Sequence, residues 1–368
     1  MEGPRCLEQG ELGSLETLVD TVFMPGKTGV MRHAFPALFN EDNRANLLVY
    51  SEEGRIVSHV GRTERWASLG GCTVRVGCVG AVATYEEYRG SSLASRLLER
   101  TCRDADASGV DFLMISGDRG LYRRAGAVSV GLDYRLVLNR SEAERLRSAD
   151  YQVQPYEAAD LPVWMEAYER KCAHFIRPLE DWNWALETRL CQLVASEFLS
   201  VTLKGAVCGY TVSHVSNRDG ACVVAEYAGD DAAIVSVLGL LMERHNTQTV
   251  RMHVQGTQTA LIGMLAKAGV LMEPVHANGT LLVLDFPRFG DRLRPWIASQ
   301  VGMASAAALS VREEEDRIYF EMGHERMDFA SRADATEFVF GNHQRGRGHG
   351  VFARAFPAPS LWYGLNYV

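Results

Sequence analysis

Residues 46 to 84 constrain the fold more than any other part of this chain, because their side chains alternate between apolar and polar with the period of a β-strand. Turn sequences at 52–54 and 70–71 divide the segment into the runs 46–51, 55–66 and 72–84. Strands joined by such short turns pair antiparallel, so the segment predicts a β-meander. Gly80 interrupts the alternation of the third run and marks the expected position of a β-bulge.

An amphipathic helix and a buried strand are predicted directly after the meander. Residues 92–107 place apolar side chains on one face and charged side chains on the other. Residues 110–115 form a short apolar run bounded by glycines, and a second short helix over 120–125 ends at Gly126. A meander that leads into a β-α-β unit predicts an α/β (α+β) fold, with a mixed central sheet flanked by helices.

The same order of elements is predicted a second time, which is consistent with an internal duplication. The second set comprises strands at 198–203, 207–215 and 221–228, a helix at 232–242, a strand at 249–254 and a helix ending at Gly269. A chain of 368 residues also exceeds the size that one hydrophobic core usually supports. Because the composition changes again near residue 287, we expect three domains, 1–148, 149–286 and 287–368.

Charge and cysteine usage exclude several classes of protein. The net charge of −8 argues against a general nucleic-acid binder, so the basic stretch 345–349 is interpreted as a mobile loop. No basic-then-apolar leader and no run of about 18 apolar residues occurs, which predicts a soluble, cytoplasmic chain without a membrane partner. The 8 cysteines show no C-x-x-C spacing, so we expect reduced thiols and no metal site.

The segment Arg89-Gly90-Ser91-Ser92-Leu93-Ala94 joins the third predicted strand to the long helix. Unpaired amides and the positive end of the dipole at a helix N-terminus, together with Arg89, could hold a diphosphate. The alternative is an ordinary turn, in which Gly90 bends the chain and Ser91 or Ser92 only caps the helix.

This segment resembles the (Arg/Gln)-x-x-Gly-x-(Gly/Ala) signature of the GNAT superfamily of acyl-CoA-dependent N-acyltransferases, with Ser92 in place of the usual middle glycine. The superfamily's tyrosine in a short later helix is matched by Tyr122 in Leu-Tyr-Arg-Arg-Ala-Gly at 121–126, although Ala127 replaces the usual aromatic residue. The repeated layout and the apolar end at 356–368 are similar to the enhanced-intracellular-survival type. That resemblance implies tandem GNAT folds, the second degenerate, and a sterol-carrier-protein-like C-terminal domain.

The resemblance also implies roles for particular residues. The backbone of Val82, Ala83 and Thr84 would pair with the pantetheine of acetyl-CoA, and the pyrophosphate would be held by Arg89, Gly90, Ser91, Ser92, Leu93 and Ala94. Tyr122 would protonate the thioester sulfur, and the C-terminal carboxylate of Val368 would accept the proton of the amine. The alternatives are that Tyr122 is a core aromatic residue and that the tail is packed for stability alone.

The second unit is not expected to bind acyl-CoA. Gly229-Asp230-Asp231 stands where its phosphate loop would fall, and two carboxylates there would repel a diphosphate. Glu226 with Trp164, Trp182 and Trp184 could line a cation site, although scattered aromatic residues more often belong to a core. We expect this unit to wall the amine pocket and to shape oligomer contacts.

These observations predict an acetyl-CoA-dependent N-acetyltransferase that needs no metal and forms no acyl-enzyme. The predicted acceptor is a primary amine of a small cationic molecule or a lysine, and the predicted assembly is a homo-oligomer. Two alternatives stay open: an acyl-CoA-binding regulatory protein without turnover, favoured by Ser92 and Ala127, and a lipid-binding protein led by the C-terminal domain.

Overall fold

The computed structural model describes residues 1–315, 317–344 and 350–368, so the basic stretch 345–349 lies outside the described residues. The strands are β1 (Glu2–Cys6), β2 (Leu47–Glu52), β3 (Arg55–Leu69), β4 (Cys72–Thr84), β5 (Phe112–Ile115), β6 (Asp133–Asn139), β7 (Tyr151–Pro155), β8 (Ala173–Phe175), β9 (Leu190–Cys191), β10 (Val194–Ala195), β11 (Glu197–Leu203), β12 (Ala206–Val215), β13 (Cys222–Gly229), β14 (Thr249–Val254), β15 (Met272–Val275), β16 (Thr280–Val283), β17 (Leu309–Glu314), β18 (Arg317–Met322) and β19 (Glu325–Phe329). The helices are α1 (Leu12–Phe23), α2 (Val30–Ala34), α3 (Leu93–Ala107), α4 (Gly120–Arg124), α5 (Arg140–Leu146), α6 (Leu161–Glu169), α7 (Leu179–Thr188), α8 (Asp231–Arg244), α9 (Thr259–Lys267), α10 (Phe286–Arg292), α11 (Arg294–Val301), α12 (Met303–Ala307), α13 (Arg332–Phe340) and α14 (Gly350–Ala355).

The first sheet has the order β1-β2-β3-β4-β5-β16, with β8 also paired to β3. The predicted meander is confirmed, since β2, β3 and β4 pair antiparallel, and β5 then joins β4 in parallel. The bulge is confirmed as well. The register between β3 and β4 shifts between His59 and Gly61, opposite the segment from Gly80 to Ala83, where Ala81 has a φ of 51°.

The second sheet has the order β15-β6-β14-β13-β12-β11-β7, in which β13 and β14 form the parallel pair. In this sheet the antiparallel strands β7, β11, β12 and β13 are followed by the parallel pair of β13 with β14. The first sheet has the same arrangement, with β1 to β4 antiparallel and β4 parallel to β5. The two sheets exchange strands. β6 follows β5 of the first sheet in the chain but hydrogen-bonds to β14 of the second sheet, and β16 follows β15 of the second sheet but hydrogen-bonds to β5 of the first. The prediction of mixed sheets flanked by helices is therefore confirmed.

The C-terminal part adds a three-stranded antiparallel sheet, β17-β18-β19, and the helices around it. It shares its core with the first sheet, because Phe112 of β5 lies 5.4 Å from Phe289 and 5.3 Å from Phe340, measured between ring centroids. The last residues do not fray: Leu361 and Tyr363 are fully buried, and Val368 is 6% exposed. The chain end is therefore part of the folded structure.

Within the described ranges, no helix has the length and apolar character needed to cross a membrane. The same part of the chain contains no group of three or more His, Cys, Asp or Glu side chains arranged to hold a metal ion. The cysteines are all free thiols.

Candidate functional site

The candidate site lies where β4 and β5 separate. The two strands pair in parallel from Val76 opposite Phe112 to Val79 opposite Ile115, and the amide of Ser116 donates one further bond to the carbonyl of Val79. Beyond this point β4 continues through its bulge while the chain after β5 turns away. Diverging parallel strands leave backbone groups without a neighbouring strand, and these are free to bind a ligand.

The C-terminus of the chain ends in this split. A Cβ atom placed on Gly80 would overlap the terminal carbonyl group of Val368, so glycine is the residue that leaves room for the carboxylate. On the opposite wall, the hydroxyl of Tyr367 donates to the carbonyl of Ser116 over 3.3 Å. The tail therefore spans the split between β4 and the end of β5.

Three phenols gather around this end of the chain. Tyr122 of α4 is 6% exposed, and burial raises its pKa, an effect that the neighbouring Arg119 opposes. The ring of Tyr363 lies 5.3 Å from that of Tyr367, and burial raises the pKa of both. Among the described residues the buried hydroxyl of Tyr363 has no hydrogen-bond partner. These side chains stay protonated at neutral pH and are proton donors rather than bases.

The predicted phosphate loop forms an exposed turn at the start of α3. Arg89, Gly90, Ser91 and Ser92 are exposed, whereas Leu93 anchors the turn in the core. Ser92 is the N-cap residue, but its side chain makes no capping hydrogen bond, so the amides of the first turn stay available. Its φ of 59° and ψ of 16° lie in the left-handed region, which is the conformation that a glycine would adopt at this position.

An open groove of about 450 Å³ lies between α3 and α4, on the side of Ser95 and Leu121. The exposed Arg103 and Arg124 line this groove together with the exposed Glu99, whereas Arg332 is already paired with Glu313.

A narrow cavity of about 50 Å³ reaches Val368 from the other side. Pro36, Trp184 and Thr188 line both this cavity and a wider surface depression of about 510 Å³. The depression and the cavity therefore adjoin each other at Trp184.

A buried ion pair holds the tail just before its end. Arg177 and Glu226 are 5% and 3% exposed, and the guanidinium donates two hydrogen bonds of 3.0 and 2.9 Å to the carboxylate. The guanidinium lies 4.1 Å from the ring centroid of Tyr168 and 4.3 Å from that of Trp182. The ion pair with Arg177 lowers the pKa of Glu226 against the effect of burial, so the pair is charged.

The structure brings some of the predicted residues together and separates others. Val82, Ala83 and Thr84 end β4 beside the split that Val368 enters, with Tyr122 at its edge, while the loop 89–94 lies at the surface. Trp164 and Trp182 are core residues, whereas Trp184 lines the cavity at Val368.

Three further residues belong to this region but were not predicted. The residue pattern indicates only a bulge at Gly80, the aromatic end of the chain indicates Tyr363 only as an anchor of the tail, and no pattern singles out Arg177. A lone arginine within an apolar and aromatic stretch is the signal that could have indicated a buried partner for Glu226.

Comparison with known proteins supports a function for the first part of the chain. Residues 4–129 match the family model described as an acetyltransferase (GNAT) domain. The match contains β4, the loop at 89–94, α3 and Tyr122, so both strands of the split described above lie within the residues that match this model. No curated protein matches the sequence significantly.

Solved structures with similar folds cover most of the chain. A GCN5-related N-acetyltransferase from Anabaena variabilis has a TM-score of 0.66 at 13% identity, over 91% of this chain and 89% of that one. Eis1 from Mycobacterium abscessus has a TM-score of 0.63 at 14% identity, over 96% of both chains. A probable N-acyltransferase from Enterococcus faecalis has a TM-score of 0.62 at 15% identity, over 78% of this chain and 74% of that one. At these identities the likeness concerns the fold alone.

Proposed function

We propose that this protein is an acetyl-CoA-dependent N-acetyltransferase. It transfers an acetyl group to a primary amine of a small cationic molecule or of a lysine, by direct attack of the amine in a ternary complex. The observation that carries the proposal is the position of the C-terminal carboxylate: it lies beside Gly80, in the strand split of a GNAT acetyltransferase domain.

Acetyl-CoA would lie between the loop at 89–94 and the strand split. Arg89 and the free amides at the start of α3 would bind the pyrophosphate, and the left-handed Ser92 would keep the loop open toward it. The backbone groups of Val82 to Thr84 would pair with the pantetheine and polarise the thioester carbonyl. The exposed Arg103 and Arg124 of the groove between α3 and α4 would attract the remaining phosphate of the coenzyme.

Two groups of the chain would move the protons. The carboxylate of Val368 would accept the proton that the attacking amine must lose, and Tyr122 would donate its phenolic proton to the departing thiolate. Because burial raises the pKa of Tyr122, this donor would be protonated throughout the working range of pH.

The acceptor amine would enter through the depression at Trp184 and reach Val368 through the narrow cavity. A volume of about 50 Å³ favours a slender amine-bearing end over a bulky group. Asp181 at this cavity already pairs with Arg65 at 2.7 Å, whereas Glu187 at the entrance is exposed. Glu187 would therefore be the acidic contact for a second cationic group of the acceptor at this entrance, which Arg32 also lines.

The same proposal divides the chain into 1–148 as the catalytic GNAT domain, 149–286 as a degenerate GNAT domain and 287–368 as a sterol-carrier-protein-like domain whose tail enters the site. The shared order of strands in the two large sheets and the separate three-stranded sheet support this division. In the second unit, Asp230 accepts a hydrogen bond from the amide of Ala232 and caps α8, so the counterpart of the phosphate loop is closed by its own carboxylate.

Calorimetry with acetyl-CoA, combined with release of free thiol over a panel of primary amines, tests this function. The expected result is binding together with amine-dependent thiol release, which a Tyr122→Phe variant reduces without losing the binding. Binding without turnover on any amine would favour a regulatory acyl-CoA-binding protein. Absence of binding would contradict the proposal.

A further inference from the structure

The second sheet has a strand split of its own. β13 and β14 pair in parallel from Cys222 opposite Val250 to Val224 opposite Met252, and the pairing ends there. The split opens after the third pair, as the first split opens after Val79 opposite Ile115.

The C-terminal segment fills this second split. The indole nitrogen of Trp362 donates to the carbonyl of Ala225 on β13 over 3.0 Å, and its ring stacks on His253 of β14 with 3.6 Å between centroids. Directly after β14, the side-chain amide of Gln255 donates to the carbonyl of Ser360 over 2.9 Å. Both walls of the split therefore bind the tail.

The other binding groups of this split are also occupied. The carbonyl of Tyr227, two residues beyond Ala225 on β13, accepts a hydrogen bond of 3.1 Å from the ammonium of Lys171. The start of α8 is capped by Asp230. A second coenzyme would find the carbonyls of Ala225 and Tyr227 already bonded and a carboxylate at the start of α8.

The ion pair between Arg177 and Glu226 fixes the tail beyond Trp362. Glu226 accepts the amide hydrogen of Leu365 over 2.8 Å, and Arg177 donates to the side-chain oxygen of Asn366 over 2.7 Å. Gly364 completes the fit, because its φ is +50° and a Cβ atom there would overlap the carboxylate of Glu226. Val368 is only two residues from Asn366, a reach of about 7 Å, so these contacts restrict where its carboxylate can lie.

We propose that the second sheet is a clamp for the C-terminal tail and that Arg177 and Glu226 are positioning residues for the carboxylate of Val368. The clamp is defined by the split between β13 and β14 together with the Arg177–Glu226 pair. The effect of the clamp on turnover rests on the proposed acetyltransferase function, whereas its role in holding the tail in place does not.

Two variants and a matched control test the clamp. Glu226→Gln retains the size of the side chain but removes the charge that holds Arg177. Asn366→Ala removes the two hydrogen bonds that Arg177 donates to the tail and the bond from Asn366 to Asp181, but it leaves the buried pair intact. This variant decides the question if Glu226→Gln does not fold. Glu273→Gln makes the same chemical change in an exposed ion pair with Arg135 on the second sheet, and the hydrogen bonds of this pair join β15 to β6 rather than to the tail.

The first measurement is the release of Val368 by carboxypeptidase Y, followed by mass spectrometry. Since Val368 is 6% exposed, release from the unmodified protein and from Glu273→Gln should be slow. Release should be at least about tenfold faster from Asn366→Ala and from Glu226→Gln. Unchanged release from the folded variants would overturn the clamp, whether or not the protein transfers acetyl groups.

The second measurement separates kcat from KM. In Glu226→Gln and in Asn366→Ala, kcat should fall by about tenfold or more while KM for acetyl-CoA stays within about twofold. The reason is that a displaced base slows the chemical step and leaves coenzyme binding intact. Faster release of Val368 with unchanged kcat would overturn the assignment of Arg177 and Glu226 as positioning residues. If the unmodified protein shows no acetyl transfer, the release rates alone decide the clamp.

Discussion

Replacement of Gly80 by alanine should displace the terminal carboxylate of Val368 from β4 without changing the coenzyme-binding part of the candidate site. The φ of Gly80 is not positive, so alanine fits the backbone, and the change from glycine should even favour the strand by about 0.5–1 kcal/mol. The new Cβ atom would nevertheless overlap the terminal carbonyl of Val368 and lie 3.1 Å from its Cγ2. The tail must then retreat from β4 while the fold persists.

The size of the effect follows from that overlap. Ordinary van der Waals contact begins at 3.4 Å, so the carboxylate must move by about 1 Å. A displacement of about 1 Å for a reacting group reduces the rate by about 100-fold. This corresponds to about 2.7 kcal/mol of transition-state stabilisation.

The assay compares turnover and binding in Gly80→Ala and in a control glycine variant. Thiol release at saturating amine and acetyl-CoA should fall by about 100-fold in Gly80→Ala, while the calorimetric Kd for acetyl-CoA changes much less. Gly263→Ala, in the middle of α9 and with no atom within 4 Å of the added methyl group, should retain full turnover. Turnover of Gly80→Ala within twofold of the unmodified protein would refute the role assigned to the carboxylate.

Three further predictions concern single residues. Tyr122→Phe should lower kcat by about 10²–10⁴-fold in the thiol-release assay with an unchanged Kd for acetyl-CoA, and unchanged turnover would exclude Tyr122 as the acid. Because burial raises the pKa of Tyr122, the pH profile of the unmodified protein should show no loss of activity from this group below about pH 10. Ser92→Gly should leave the calorimetric Kd within about threefold because Ser92 already has a left-handed backbone, whereas Ser92→Val should weaken binding at least about tenfold, and equal affinities would contradict this account of the loop. Burial lowers the pKa of His59 to about 4, whereas this imidazole has a pKa of about 6.5 in the unfolded chain, so the unfolded chain binds more protons between these values. The free energy of unfolding should therefore fall by up to about 3 kcal/mol as the pH falls from 6.5 to 4. Urea unfolding of His59→Phe should lack this loss, and an equal loss in the variant would contradict the prediction.

The parts of the fold that depend on local pattern could be predicted from the sequence. Alternation within β3 and β4 and the interruption at Gly80 are properties of neighbouring residues, and the structure has the strands and the bulge where the pattern predicts them. The amphipathic pattern likewise gave α3 to within one residue.

The exchange of β6 and β16 between the sheets could not be predicted, because the residue pattern within a strand does not specify which sheet the strand joins. Their choice depends on packing between distant segments.

The site was only partly predictable for the same reason. The loop at 89–94 and Tyr122 were found because their residues lie close together in the sequence. The course of the tail depends on contacts such as that between Arg177 and Asn366, which are 189 residues apart. The backbone conformation of Ser92 could not be predicted from its residue type. Ser92 stands in place of the expected glycine, but its backbone adopts the left-handed conformation that a glycine would have there.

Replacement of the carboxylate of Val368 by a carboxamide, through ligation of a synthetic tail, tests the central claim most directly. The change preserves size and shape and removes only the negative charge that would accept the proton. We expect amine-dependent thiol release to fall by at least about 100-fold, with the Kd for acetyl-CoA and the urea midpoint unchanged. Turnover of the amidated protein at the rate of the unmodified protein would contradict the proposed role of the C-terminus.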